Sequence, residues 1–209
     1  MIKTVIFDFD GTVADSMKLL IKLFNEVAGN YNLPNINPND VDVLRNMSAK
    51  ELFSKLKLPP IKVLKLVIEI QSKLKRNISE IQAFEGITDM FKELKIKDVK
   101  IGIVTSNTEE NVRLFLNKNL ITEVDFVHGE KNLFGKGRVI KKLIKRWKLL
   151  SDEVLYVGDE VRDIEAARYA GVKTVAVTWG FNSEIRLRQA NPDIIVGYPK
   201  EIYDQIQTS

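Results

Sequence analysis

The chain has 209 residues, 44% of them apolar and 29% charged, with Lys+Arg 32 against Asp+Glu 28 and a net charge of +4. That is enough for one good core plus an accessory module, while the absence of cysteine excludes disulfides, thiolate catalysis and zinc–thiolate sites. No apolar stretch approaches the ~18 residues needed to span a bilayer, and the first residues lack a signal peptide's order of regions, so a soluble cytoplasmic protein with no membrane partner is expected.

In chain order, "KTVIFDF" (3–9) reads as a buried strand that runs straight into "DGTVADS". From about 16 to 82 no convincing strand follows. Leu64, Val67, Ile68, Ile70 and Leu74 fall near helical spacing there, and "LPNINPND" (33–40) and "LPP" (58–60) divide the stretch into helices with loops. Beyond it, strands are predicted at 99–105, 124–129, 153–159, 173–178 and 193–197. They alternate with amphipathic helices at 86–95, 108–119, 136–148 and 159–171, the last of which ends at Gly171. Near-continuous apolar strands alternating with helices point to an α/β fold, a doubly wound parallel sheet covered on both faces. The expected division is a catalytic core of 1–15 and 83–209 with a helical cap domain, 16–82, inserted after the first strand and its turn.

Charge is unevenly spread along this plan. Residues 16–82 hold eleven Lys/Arg against six Asp/Glu, net +5, and the remainder has a net charge of −1. A basic segment favours anionic partners, although a solvated helical surface has the same composition. Nucleic acid is not expected, because the segment's aromatics are only Phe24, Tyr31 and Phe53, too few for a base-stacking surface.

In open parallel sheets, ligands bind at the carboxyl ends of the strands. Asp8 and Asp10 follow the first strand here, Thr105, Ser106 and Asn107 the second, and Asp159 ends "LYVGD". Asp163 is one helical turn further on, and Lys136 opens the helix at "GKG". Four carboxylates at one pole repel one another without a cation, and an all-oxygen set without His or Cys suits Mg²⁺. The metal and the lysine can neutralise a phosphoryl group, to which the Gly11–Thr12 turn, Ser106 and Asn107 can add hydrogen bonds. One carboxylate can attack phosphorus while a second, two residues on, handles protons at the leaving oxygen and at water. The sole histidine, His128, is read as satisfying a strand-end hydrogen bond.

"DFDGTVADS", "IVTSN", Lys136 in "FGKG" and "GDEVRD" stand in the order of the four motifs of the haloacid dehalogenase superfamily. The chain resembles that superfamily in its phosphoglycolate-phosphatase-like and β-phosphoglucomutase-like branch, and "TWGFNS" (178–183) and "NPDIIVGYPKEI" (191–202) resemble the tail of the former. The third motif departs from the branch's usual K-P-x-P, reading Lys136-Gly137-Arg138-Val139. The resemblance implies a Rossmann-like core with a helical cap, Asp8 as nucleophile forming an aspartyl phosphate, and Asp10 as general acid/base. It also implies Thr105 and Lys136 on the phosphoryl group, and Mg²⁺ on the Asp8 side chain, the Asp10 carbonyl and Asp159. Asp163 would support it through metal-bound water or Lys136. Dehalogenase relatives lack an acid at the Asp10 position, so carbon–halogen cleavage is disfavoured. The expected activity is hydrolysis of a small anionic phosphomonoester of the phosphoglycolate kind, with phosphomutase or pyrophosphatase chemistry as the alternatives. In "LRNMSAKELF" (44–53), where relatives carry a specificity loop, Arg45 and Lys50 are candidates to bind a substrate carboxylate or second phosphate.

Overall fold

The structure, a computed structural model, describes residues 1–129 and 135–207, without the side chains of residues 49, 50 and 207. Six strands form one sheet: β1 (Thr4–Phe7), β2 (Lys100–Thr105), β3 (Phe126–Gly129), β4 (Val154–Gly158), β5 (Lys173–Val177) and β6 (Ile194–Val196). Their order is β3-β2-β1-β4-β5-β6, and every neighbouring pair is parallel. The unbroken apolar runs follow from burial on both faces. Val5 and Phe7 of β1 join one apolar cluster while Ile6 between them joins another. β4 repeats this, sending Leu155 and Val157 to the first cluster and Val154 and Tyr156 to the second.

The helices between strands match the expected segments to within one or two residues: α5 (Ile87–Ile96), α6 (Glu109–Lys118), α7 (Lys136–Trp147) and α8 (Val161–Ala170). Gly171 stops α8 in the left-handed conformation at φ +77°. Two further helices, α9 (Glu184–Gln189) and α10 (Pro199–Gln207), complete the sheet's layers.

Between β1 and β2 the described elements are all helical, with α1 (Met17–Ala28), α2 (Val41–Arg45), α3 (Ala49–Lys55) and α4 (Pro60–Asn77) ahead of α5, two short 3₁₀ turns between α1 and α2, and a third after α4. The two chain connections at the base of this segment run side by side. Asp15 N–H donates to Gln82 O (2.9 Å), Phe84 N–H donates to Val13 O (3.1 Å), and Ala14 bridges Ala83. The face of α4 differs from the expected stripe. Leu66 and Leu74 are buried and Ile70 packs against the core, whereas Leu64 and Ile68 are more than half exposed. The i, i+4 row 66-70-74 is the inward one, and 61-64-68 lies on the outer side. On periodicity alone either apolar row could have been the buried one. The cap's lysines 18, 22, 55, 57, 62, 65 and 75 are exposed, so most of its described positive charge is a solvated helical surface.

Candidate active site

The chain runs outward from β1 to β2 and β3 on one side, then crosses back to β4 on the other. The sheet's switch point is therefore at β1 and β4, whose carboxyl ends deliver Asp8 and Asp159 side by side. Gly11, at φ +81°, turns the chain just after β1, and a Cβ placed there would lie 2.3 Å from Asp159 Oδ2 and 2.4 Å from the Phe181 ring. Only glycine fits both that backbone conformation and that contact. The Gly11 N–H donates to Ala14 O and the Thr12 N–H to Phe9 O, so both amides close the turn on itself.

Lys136 is the centre of the charge arrangement. Its Nζ lies 2.7 Å from Asp8 Oδ2 and 2.6 Å from Asp163 Oδ1, and all three side chains are almost fully buried. Placement at the first residue of α7 does not require proline after it. Gly137 instead lets α7 approach α8 so closely that a Cβ would sit 2.9 Å from Ala166 O. The Tyr156 hydroxyl reaches Val104 O (3.2 Å) and Asp163 Oδ1 (3.4 Å) from below.

Thr12 Oγ1 donates to Asp159 Oδ1 (2.6 Å) and Phe181 N–H to its Oδ2 (2.7 Å), so each oxygen of Asp159 has a partner. Asp163 Oδ2 accepts from Glu160 N–H (3.1 Å). After β2, Asn107 Nδ2 donates to Asp10 Oδ2 (3.0 Å), and Asn107 N–H donates to the buried Thr105 Oγ1 (3.0 Å). Asn107 Oδ1 in turn accepts from Thr108 N–H and Asn111 Nδ2, both at 2.8 Å. The remaining Asp10 oxygen, Oδ1, is buried without a hydrogen bond of its own, close to the Ser16 hydroxyl, which is unbonded too. Ser106 follows β2 directly and is half-buried.

Glu160, Phe181 and Asn182 escaped the sequence reading as contributors to the site. One carboxylate oxygen each from Asp8, Glu160 and Asp163 lie within 4.8 Å of one another, and Glu160 occupies the first variable position of "GDEVRD", where motif spacing carries no residue preference. Arg162 pairs with Glu160. Phe181 and Asn182, in the loop after β5, could have been found by the same strand-end argument that found Asp8 and Asp159. Arg45 lies across this loop, its Nη2 donating to Thr178 O (2.7 Å), and Ser183 N–H donates back to Arg45 O (3.0 Å). The Lys50 side chain is outside the described residues.

The acidic groups are held far from their aqueous state. Burial pushes the Asp8 carboxyl up to about 7, against the opposing charge of Lys136. Burial also raises Asp10, against the Asn107 hydrogen bond, and Glu160, against Arg162. Asp159 stands well above the ordinary range through burial and the charges of Glu160, Asp163 and Asp8. Burial alone would lower Lys136, but Asp163 and Asp8 outweigh it and hold the ammonium charged.

A sign follows for stability. These carboxyls keep protons in the folded chain at pH values where the unfolded chain has lost them, so folding weakens as pH rises from about 4 towards 7. The lowered carboxyls of Glu26, Glu51 and Glu153 act only below their ordinary value of 4.5. In a chelator, the melting midpoint is therefore expected to be higher at pH 5.5 than at pH 8, and a midpoint rising over that interval contradicts the account.

The donor set fits a hard divalent cation. It is all oxygen, buried, and carries more acidic groups than Lys136 alone neutralises.

The family model for haloacid dehalogenase-like hydrolases matches residues 5–177. A phosphoglycolate phosphatase from Synechococcus elongatus is 31% identical over 205 residues, covering 98% of this chain and 97% of that protein. A pyrophosphatase, PpaX, from Bacillus mycoides is 26% identical, covering 93% and 92%. Among solved structures, a haloacid dehalogenase-like family hydrolase from Streptococcus pneumoniae superposes with a TM-score of 0.84, with 98% of each chain covered, at 24% identity. At that identity the superposition speaks for the fold. No helix among the described residues is long and apolar enough to cross a membrane.

Proposed function

Because the chain belongs to the haloacid dehalogenase-like hydrolase family, we propose that it is a Mg²⁺-dependent phosphatase that hydrolyses a small phosphomonoester through an aspartyl phosphate on Asp8. Residues 16–82 act as its cap. The observation that carries this is the buried Asp8–Lys136–Asp163 chain, at 2.7 and 2.6 Å, beside an Asp10 with one unpartnered oxygen.

Asp8 attacks phosphorus, and the bond to the leaving oxygen breaks. Lys136 serves twice, opposing the rise of the Asp8 carboxyl and facing the phosphoryl oxygens as their negative charge is redistributed. Thr105 and Ser106 offer hydroxyls at the end of β2. Asn107 holds Asp10 by one oxygen, leaving Oδ1 free to give a proton to the departing alkoxide and to take one from the water that hydrolyses the phosphoenzyme. The pKa of Asp10, raised by burial, suits it to carry that proton above the ordinary carboxyl range. Asp8, the Asp10 carbonyl and Asp159 would hold the Mg²⁺, with Asp163 supporting and Glu160 at hand as a further carboxylate. When bound, the ion neutralises and orients the phosphoryl group.

Asp10→Asn is expected to keep the hydrogen bond to the Asn107 side chain only if its own carbonyl faces Nδ2, and to lose the proton shuttle in any case. Turnover should fall by about 10²- to 10⁴-fold, read as phosphate release at saturating substrate.

The proposal as a whole is tested by phosphate release from a panel of phosphomonoesters, phosphoglycolate first, with Mg²⁺ and with chelator. Release that is equal in both arms overturns the metal dependence, and no release from any ester overturns the activity. Inorganic pyrophosphate belongs in the panel because of the similarity to PpaX.

A further inference from the structure

Beside the carboxylate pole is a cavity of about 710 Å³, walled by α1, the 33–36 loop, α2, α3 and α4 and floored by Glu160, Phe181 and Asn182. That volume lies within the range of small-molecule binding sites. Apart from Asn35, Asp40, Arg45, Lys55, Glu160 and Asn182, every residue of the wall is apolar. Two described cations reach the wall: Lys55 is exposed, and Arg45 gives its Nη2 to Thr178 O at 2.7 Å while its buried Nε has no partner.

The floor ties this cavity to the site. A Glu160 carboxylate oxygen lies within 4.8 Å of one from Asp8, and the Phe181 N–H donates to Asp159 Oδ2 at 2.7 Å. A phosphoryl group held at Asp8 therefore has its ester oxygen at the mouth of an apolar chamber. A two-carbon leaving group with its own carboxylate would leave most of that volume unfilled, and beyond Arg45 its charge would meet an apolar wall. An alkyl or aryl chain would instead remove its surface from water there.

We infer that the preferred substrates are phosphomonoesters of apolar alcohols, whose hydrocarbon portion occupies this cavity. The inference rests on the proposed phosphatase activity and narrows its substrate. It sets aside phosphoglycolate as the best substrate while keeping the chemistry at Asp8.

The test compares ethyl, butyl and hexyl phosphate with phosphoglycolate. Each buried methylene is expected to raise kcat/KM about fourfold, giving on the order of 10²-fold between the ethyl and hexyl esters. Ile70→Trp, which narrows the chamber, should lower the hexyl-to-ethyl ratio severalfold. Circular dichroism and a thermal melt of the same preparation report that the variant is folded. A flat series, or phosphoglycolate exceeding the hexyl ester, overturns the inference and leaves the phosphatase intact. If no ester is turned over, the phosphatase proposal fails on its own, and binding still decides the cavity. Hexylphosphonate binding more tightly than ethylphosphonate upholds it, and equal binding overturns it.

Discussion

Asp8→Asn is expected to reduce phosphate release by at least about 10³-fold while leaving the fold intact. The amide matches the carboxylate in shape, so the packing at the end of β1 and the neighbouring Gly11 turn need not change. What disappears is the nucleophile, because a neutral amide oxygen does not displace an alkoxide from phosphorus at a useful rate. Lys136 keeps Asp163 at 2.6 Å and is not left alone. With Asp8 raised to about 7 by burial, replacing it with a neutral group also relieves a desolvated charge above neutral pH. The variant should therefore be inactive yet at least as stable as the parent at pH 8 in chelator. Circular dichroism and a thermal melt check the fold, and phosphate release checks the chemistry.

Lys136→Met should damage both. The ammonium is nearly inaccessible and touches two buried carboxylates, so its removal leaves Asp8 and Asp163 facing each other, with Glu160 within reach of both. Removing one partner of a buried pair costs about 3–5 kcal/mol, and loss of a phosphoryl-facing cation costs about 10²- to 10³-fold in turnover. The stability loss has a direction in pH. Without the lysine, the Asp8 carboxyl rises further above its ordinary 3.8. The folded chain then retains its proton over a wider interval, and the deficit relative to the parent shrinks as pH falls. Melts of both proteins at pH 5.5 and pH 8 read this directly. Equal stability at pH 8 would contradict the placement of Lys136 as the counter-charge of the pole.

Most of the sheet was legible because each strand is buried on both faces, which leaves an unbroken apolar run such as "TVIF" or "VLYV". The strand-end rule then placed Asp8, Asp10, Thr105 and Asp159 at one pole, and helical spacing added Asp163. What remained hidden depends on long-range packing. The apolar residues of α4 form two rows, and only the fold shows that Leu66, Ile70 and Leu74 face inward while Leu64 and Ile68 do not. The use of Asn107 was hidden too, since whether it faces substrate or Asp10 depends on how the loop after β2 turns towards β1. Glu160 sits between two recognisable aspartates with no spacing of its own to mark it. Least visible was the cap's interior. Sequence counts its lysines as positive charge near a substrate, but the fold turns Lys18, Lys22, Lys55, Lys57, Lys62, Lys65 and Lys75 to solvent and offers the site a mostly apolar wall that includes Arg45.

The central claim is a covalent phosphoryl group on Asp8, and trapping it is the most direct measurement. Asp10→Asn protein, in which hydrolysis of the intermediate is slowed, is mixed with an aryl phosphomonoester carrying labelled phosphorus, whose phenolate leaves without needing the lost proton, then quenched in acid and digested. The account predicts label on the peptide containing Asp8, and none when Asp8→Asn is combined with the same change. Label on another residue, or undiminished phosphate release from Asp8→Asn protein, would contradict it.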